Sequence, residues 1–194
     1  MDKYPVNEIF YSLQGEGFYT GTPAIFIRFS GCNLRCAFCD TDHSKSGRMT
    51  VSEIMDAIAP YPARHVVITG GEPSLFVDEA LLSRLHALGK YVAIETNGTH
   101  PLPDGIDWVT LSPKDHVETQ AHTVLRECDE LKVVFCSADT LPSYGHIRAR
   151  HHFLQPCDTG DADAGHIVAE TIEYCKAHPM WRLSLQTHKY LRIR

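Results

Sequence analysis

Three cysteines stand close together in the first quarter of the chain. Cys32, Cys36 and Cys39 form a C-x3-C-x2-C motif just after the apolar segment 24–29. A [4Fe-4S] cluster is usually held by four cysteine thiolates, so three thiolates leave one iron without a protein ligand. An open coordination position is what separates a catalytic metal site from a closed structural one. The motif therefore predicts an iron-sulfur centre that binds a small molecule.

The same cysteines also allow a zinc site. His43 follows Cys39 by four positions, and zinc accepts three cysteines and one histidine as ligands. Two features favour the iron-sulfur interpretation. Asp40 and Thr41 offer oxygen ligands, which suit a hard cation better than zinc, and a glycine-rich motif further along the chain needs a ligand to bind. The closed zinc site remains an alternative.

Alternating strands and helices must position this centre. Segment 65–69 is rich in β-branched residues, which is typical of a strand buried on both faces, and it runs into the sequence GGEP at 70–73. Further strands are predicted at 24–29, 91–95, 106–111, 130–135 and 152–155. Helices are predicted at 78–88 and 164–178, and a third helix begins at the capping box of Thr50 and Glu53. This order predicts a parallel α/β fold. With about six parallel strands, we expect a partial, open TIM-like barrel rather than a closed one.

Polar residues follow several of these strands. Residues 96–99 come after the strand at 91–95, Ser112 and Lys114 come after the strand at 106–111, and Gln155 ends the strand at 152–155. In parallel α/β sheets, ligands bind at the carboxyl ends of the strands. We therefore expect these residues to share one edge of the sheet with the GGEP sequence.

Composition limits the class of protein. The 194 residues predict a single domain, 1–194. A net charge of −6 gives no bulk attraction to nucleic acid or membranes, and no apolar run approaches the length of a membrane span. The seven cysteines are an odd number with three in one motif, so a disulfide framework is not expected. Free thiols and an oxygen-sensitive cluster fit a reducing cytoplasm.

Two motifs together resemble the radical S-adenosylmethionine (SAM) superfamily. The cysteine motif carries an aromatic residue, Phe38, before its last cysteine, and GGEP at 70–73 is similar to the second motif of that superfamily. The resemblance implies that the amino and carboxylate groups of SAM chelate the open iron of a [4Fe-4S] cluster. One electron from the cluster then cleaves SAM to a 5′-deoxyadenosyl radical, and the protein positions the reactants and excludes water.

The two ends of the chain narrow the resemblance. The sequence SLQGEG at 12–17 and the sequence QTHKYL at 186–191 resemble the family of 7-carboxy-7-deazaguanine synthases. This resemblance implies conversion of 6-carboxy-5,6,7,8-tetrahydropterin to 7-carboxy-7-deazaguanine with loss of ammonia, on the route to queuosine. Arg28 is the only charge in the apolar segment 24–29, so it needs an anionic partner. Either a substrate carboxylate or an internal salt bridge with Glu8 or Glu16 would supply one.

The resemblance also assigns roles to single residues. Cys32, Cys36 and Cys39 hold the cluster, and Thr41 is a ligand of Mg2+, an ion that keeps waters and takes few protein ligands. The positions that match SAM contacts are Phe38, Gly71, Glu72, Ser112, Pro113, Lys114, Gln155 and Pro156. The positions that match substrate contacts are Leu13, Gln14, Gly15, Arg28, Thr69, His188 and Arg194. A homodimer and a reductant such as flavodoxin are implied as partners, and the substrate is a pterin rather than a nucleic acid.

Two rival functions share some of these features. A glycyl-radical-enzyme activase would contain the cysteine motif but would have no use for the SLQGEG loop or Thr41. A zinc-stabilised binding module would contain one zinc ion and no sulfide. The sequence does not assign a structure to residues 114–129, and it does not identify the oligomeric state, the electron donor or the 7-deazapurine that the product feeds.

Overall fold

The computed structural model describes residues 3–39, 41–42, 46–159 and 164–194. Its strands are β1 (Tyr4–Leu13), β2 (Pro23–Phe29), β3 (Gly47–Met49), β4 (His65–Gly70), β5 (Tyr91–Thr96), β6 (Trp108–Leu111), β7 (Glu127–Phe135), β8 (Arg148–Pro156) and β9 (Arg182–Leu183). Its α-helices are α1 (Val51–Ile58), α2 (Glu79–Ala87), α3 (Ala164–Ala177) and α4 (Thr187–Leu191), with short 3-10 turns at Pro73–Leu75 and Ala138–Thr140.

One sheet contains all nine strands of the described residues, in the order β3-β1-β2-β4-β5-β6-β7-β8-β9. From β2 to β9 every neighbouring pair is parallel, whereas β1 runs antiparallel to both β2 and β3. The two edge strands, β3 and β9, do not pair with each other in this order, so the barrel is open. The predicted class, a partial TIM-like barrel, is confirmed, and seven parallel strands replace the predicted six or so.

The alternation of side chains along the strands separates a core from a site. On the outer face, Ile25, Ile27 and Ile68 are fully buried in a core that includes residues of α1 and α2. On the inner face, Phe26 and Trp108 belong to a second apolar cluster near the amino ends of the parallel strands. Further along the same inner face, β2, β4 and β5 carry the polar side chains of Arg28, Thr69 and Glu95, since side chains two residues apart point to the same face of a sheet.

The helix and strand predictions differ from the structure mainly at their ends. The capping box of Thr50 and Glu53 begins α1 as predicted, and Asp78 caps α2 through the backbone N–H of Leu81. Strand β7 begins at Glu127, three residues before the predicted start. Residues 114–126 contain only turns and irregular backbone. Asp40 and His43, which the metal-site alternatives used, lie outside the described residues.

None of the described helices is long and apolar enough to cross a membrane.

Candidate active site

One cavity lies at the carboxyl ends of the parallel strands. It is lined by residues from the loop after β1, the cysteine loop after β2, the ends of β4, β5 and β8, and the C-terminal segment. Of the residues predicted to bind cluster, SAM, Mg2+ or substrate, the lining includes Leu13, Gln14, Gly15, Arg28, Cys32, Cys36, Phe38, Cys39, Thr41, Thr69, Gly71, Ser112, Lys114, Gln155, Pro156, His188 and Arg194. The fold thus gathers residues from both ends of the chain around one space.

Two residues of the predicted site do not line the cavity. Pro113 is buried and is not a lining residue. Glu72 is 0% exposed, and its carboxylate accepts hydrogen bonds from Thr96 Oγ1 at 2.6 Å, from the Asn97 N–H at 2.7 Å and from the Ser74 N–H at 3.0 Å. These donors give the Glu72 side chain a role in joining β4 to β5. Contacts of Glu72 and Pro113 with SAM stay predictions.

The cysteine loop presents three free thiols to the cavity. The loop is held by its own backbone, since the N–H of Leu34 contacts Cys32 Sγ at 3.4 Å and the N–H of Cys39 donates to the Cys36 carbonyl at 3.1 Å. Burial raises the pKa of Cys32 and Cys36, and the neighbouring thiols raise that of Cys32 further. Within the described residues, no three His, Cys, Asp or Glu side chains are placed to hold a single metal ion. A [4Fe-4S] cluster has a different requirement, because its thiolate ligands bind separate iron atoms. Three thiols that face one cavity fit such a cluster with one open iron.

The GGEP turn packs directly against the start of the cysteine loop. Gly70 has φ 138°, and a Cβ there would overlap the backbone of Phe29. The N–H of Gly71 donates to the Phe29 carbonyl at 3.1 Å, and the N–H of Glu72 donates to the Gly31 carbonyl at 2.9 Å. Only glycine combines this φ with such a close approach. The two motifs are therefore one structural unit.

Lys114 and Gln155 border the cavity from the next strands. Lys114 Nζ donates to the carbonyl and to Oγ of Ser112, both at 2.6 Å. Burial is the main cause that lowers the pKa of Lys114 to about 8, although Cys36 opposes it. Gln155 Oε1 accepts from Ser184 Oγ at 3.2 Å, and Ser184 also accepts from the N–H of Gly17 at 2.9 Å. Gln155 is thus connected to the SLQGEG loop.

Arg28 has the internal partner that one alternative required. Its Nε lies 3.1 Å from Glu8 Oε1, and the other oxygen of Glu8 pairs with the guanidinium of Arg194. Both guanidinium groups approach the ring of Phe10, at 5.9 Å and 5.3 Å from its centroid. The main-chain oxygen of Arg194 accepts from Ser12 Oγ at 2.6 Å. Glu8 therefore holds two arginines of the predicted substrate site on one strand face, and both still line the cavity.

The C-terminal helix covers the SLQGEG loop. Thr187 donates from its N–H at 3.0 Å and from Oγ1 at 2.8 Å to the carbonyl of Gly15. A Cβ at Gly15 would overlap the ring of His188. The close approach of these two segments leaves no room for a side chain at position 15, and it places His188 in the cavity wall.

Sequence reasoning missed five charged residues that line this cavity, namely Glu16, Glu95, Lys132, Asp158 and Lys189. Lys132 forms an ion pair with Glu16, and its Nζ lies 3.8 Å from Glu95 Oε1. Glu16 stood inside a motif that was singled out, and Lys132 is a lone cation in the strand 130–135. Lys132 and Glu95 could have been predicted from the alternation of side chains along a strand, which places both on the polar part of the inner face.

Comparisons with known proteins agree with one another. The model of the Radical SAM superfamily matches residues 26–146. A protein of Bacteroides thetaiotaomicron named 7-carboxy-7-deazaguanine synthase is 54% identical over 97% of this chain and 98% of its own length. A protein of the same name from Bordetella pertussis is 47% identical over 98% of this chain and 99% of its own length. The crystal structure of QueE from Escherichia coli superimposes with a TM-score of 0.77 at 34% identity, covering 96% of this chain and 95% of that one.

Proposed function

The chain belongs to the 7-carboxy-7-deazaguanine synthase family of the radical SAM superfamily, and from this premise we propose that the cavity described above is its active site. The enzyme is a radical SAM lyase of queuosine biosynthesis that converts 6-carboxy-5,6,7,8-tetrahydropterin to 7-carboxy-7-deazaguanine with loss of ammonia. The observation that carries the proposed site is the convergence of the cysteine loop, the SLQGEG loop and the C-terminal segment on one cavity. We propose that residues 1–194 form one radical SAM domain around it.

Cys32, Cys36 and Cys39 would hold the [4Fe-4S] cluster, which with bound SAM supplies a 5′-deoxyadenosyl radical for hydrogen abstraction. The chain's own residues would bind and orient SAM and the substrate. Gly71, Ser112, Lys114 and Gln155 lie on the strand ends beside the cysteine loop, where they would contact SAM. Phe38, on that loop, supplies an apolar surface for the adenine.

The substrate half of the cavity suits a pterin that carries a carboxylate. Arg28 and Arg194 offer positive charge for that carboxylate, because Glu8 occupies only part of each guanidinium. Glu16 and Glu95 add carboxylate oxygens, which accept hydrogen bonds from ring N–H groups. Gln14, Thr69 and His188 complete the polar wall. A molecule with an anionic end and an end rich in N–H donors matches this distribution of charge.

We also propose Mg2+ at Thr41. This residue lines the same cavity as Arg28, so a Mg2+ ion on its hydroxyl would be close to the substrate carboxylate. The ion would orient and polarise that carboxylate. Thr41→Ala should leave iron content and SAM binding unchanged but weaken the response of turnover to Mg2+ by about tenfold or more. An unchanged Mg2+ titration in this variant would remove Thr41 from the site.

The reaction is tested by anaerobic incubation of reconstituted protein with a reductant, SAM, Mg2+ and 6-carboxytetrahydropterin, followed by mass spectrometry. We expect 7-carboxy-7-deazaguanine. Metal analysis of the same sample should give about four iron atoms per chain with labile sulfide. One zinc and no sulfide would instead support the binding module, and 5′-deoxyadenosine without the deazaguanine would turn the search toward an activase.

A flavodoxin-type reductant and a homodimer belong to the same proposal. The C-terminal helix exposes Tyr190 and Leu191, at 69% and 61%, which is apolar surface that a second copy could cover. Light scattering of the holoenzyme tests the dimer, and turnover with reduced flavodoxin in place of a chemical reductant tests the electron donor.

A further inference from the structure

A buried lysine lines the substrate half of the cavity. Lys132 lies on the inner face of β7 and is 6% exposed. Its Nζ pairs with Glu16 from the loop after β1 and with Glu95 from β5. An ammonium group in this position is costly to bury unless it is paired. The lysine therefore depends on these carboxylates, and they in turn depend on it.

The two carboxylates are oriented by further donors. Gln186 Nε2 donates to Glu16 Oε1 at 3.0 Å. Glu95 accepts from Gln14 Nε2 at 3.1 Å on one oxygen and from Thr69 Oγ1 at 2.9 Å on the other. Each carboxylate oxygen accepts more than one hydrogen bond, so both groups keep capacity for a ligand. Both also line the cavity.

A third carboxylate near Lys132 has a different role. Glu130 is 2% exposed, lies on the same strand two residues earlier and does not line the cavity. It accepts from the N–H of Phe18 at 3.0 Å, and so ties the SLQGEG loop to the sheet. Burial raises the pKa of Glu130 although Lys132 opposes the shift. Lys132 thus acts most strongly on the carboxylates that face the cavity.

The charge of Lys132 decides the ionisation of Glu16. Burial alone would raise the pKa of Glu16, but the charge and hydrogen bond of Lys132, with the hydrogen bond of Gln186, lower it to about 2. Burial would likewise lower the pKa of Lys132, and Glu16, Glu95 and Glu130 together raise it well above its ordinary value. At neutral pH the Lys132 ammonium is therefore paired with the ionised carboxylate of Glu16.

We propose that Lys132 is a positioning residue, which holds Glu16 and Glu95 as a fixed pair of acceptors for the N–H groups of the substrate's heterocycle. This inference rests on the proposed function, because it takes the pterin as the ligand. Lys132 itself need not touch the substrate. Its contribution is to hold the two carboxylates in place before the substrate arrives, so that binding does not have to order them.

The alternative is a purely structural salt bridge that fastens the SLQGEG loop to the sheet. The two roles differ in what a neutral replacement changes. Lys132→Met should raise the KM for the pterin about 30-fold while kcat changes by less than about threefold, because ground-state binding is lost. A structural bridge would change stability and cluster content and leave KM unaltered. Lys132→Arg keeps the charge and should recover most of the KM loss.

The pH dependence gives a second readout. In the wild type Glu16 stays ionised over about pH 6 to 9, since its pKa is about 2. In Lys132→Met burial raises the pKa of Glu16 with no cation to oppose it, so the ratio of variant to wild-type KM should fall as pH rises. The other groups that face Lys132 are Glu95, Glu130, Lys114 and, through Glu16, His188. Lys114 and His188 are present in both proteins, and the ratio cancels most of their contribution.

The experiment uses reconstituted holoenzyme of wild type, Lys132→Met, Lys132→Arg and Lys176→Met. Lys176 is a matched control, because it pairs with Glu173 on the exposed face of α3, where an ion pair contributes little. If Lys132→Met does not fold, Lys132→Gln, which keeps a neutral donor, replaces it. Iron content should match the wild type in every variant, and 5′-deoxyadenosine formation without pterin should match it in Lys176→Met.

The inference is overturned if the KM of the neutral variant equals that of the wild type, or if its KM ratio does not change with pH. It is also overturned if kcat and cluster content fall with KM unchanged. Failure of the proposed function has another signature, since the wild type itself would then form no deazaguanine from the pterin.

Discussion

At the scale of single residues, the three cysteines are not equivalent to the other four. Cys36→Ala should abolish both cluster assembly and turnover, because only two of the three thiolate ligands of the cluster would remain. Cys175→Ala is the matched control. Cys175 lies on α3, where it packs against an apolar core cluster, and it does not line the cavity. It should keep its iron. Iron and sulfide analysis after reconstitution measures cluster assembly in both variants. Wild-type turnover in Cys36→Ala would refute the assignment of Cys36 as a cluster ligand.

Glu8 should affect substrate binding indirectly, through the two arginines that it orients. It pairs with Arg28 and with Arg194 but does not line the cavity. Glu8→Gln should raise the KM for the pterin by about tenfold, because both arginines lose the anion that orients them. SAM cleavage without substrate should be unchanged.

The control for this change is Glu127→Gln. Glu127 also pairs with an arginine, Arg148, but both side chains are exposed and the pair should contribute little. If both variants keep the wild-type KM, Glu8 does not position the arginines.

The sequence indicated motif residues well and network residues poorly. The cysteines and Gly71 could be found because their spacing is fixed along the chain. The role of Lys132 could not, because it depends on which face of β7 turns inward and on carboxylates 116 and 37 positions away. For Arg28, the sequence left two partners open, and the structure shows Glu8 as the internal one while leaving the side chain in the cavity wall.

At the scale of elements, the SLQGEG loop depends on a glycine that packs against the sheet. Gly17 has φ 66°, and a Cβ there would overlap the carboxylate of Glu130. Gly17→Ala should therefore destabilise the protein by about 2 to 4 kcal/mol, since backbone strain and a displaced buried carboxylate add. Denaturant unfolding of the anaerobic protein measures this loss.

Gly21→Ala provides the comparison within the same loop. Gly21 has φ 85°, but a Cβ there would meet nothing within 4 Å. This variant should cost about 1 kcal/mol from backbone strain alone. Equal losses for the two variants would show that packing on Glu130 does not hold the loop.

Elements with a regular period could be predicted, and irregular segments could not. The apolar strands β2, β4 and β5 and the capped helix α1 follow from local patterns. Residues 114–126 have no period, and side-chain contacts hold them instead. Tyr144 Oη lies 2.9 Å from His116 Nδ1, His116 Nε2 lies 2.8 Å from the Val134 carbonyl, and Asp115 pairs with Thr123. Contacts between distant positions leave no local trace in the sequence.

At the scale of the whole molecule, the two ends of the chain complete one site. The loop after β1 and helix α4 meet through Gly15 and Thr187, and Arg194 reaches β1 through Ser12 and Glu8. The open edge of the barrel is thus where the C-terminal segment joins the cavity wall. A radical reaction needs such a cover, because water and stray hydrogen donors must be kept from the reacting atoms.

We expect SAM and the pterin to bind together in this cavity, and we expect each turnover to regenerate SAM, which would make it a reusable cofactor of the lyase. The most direct measurement is the number of 7-carboxy-7-deazaguanine molecules formed per SAM consumed, under anaerobic conditions with reductant and Mg2+. We predict many products for each SAM, with little 5′-deoxyadenosine. One 5′-deoxyadenosine for every product, or 5′-deoxyadenosine with no deazaguanine, would contradict this account.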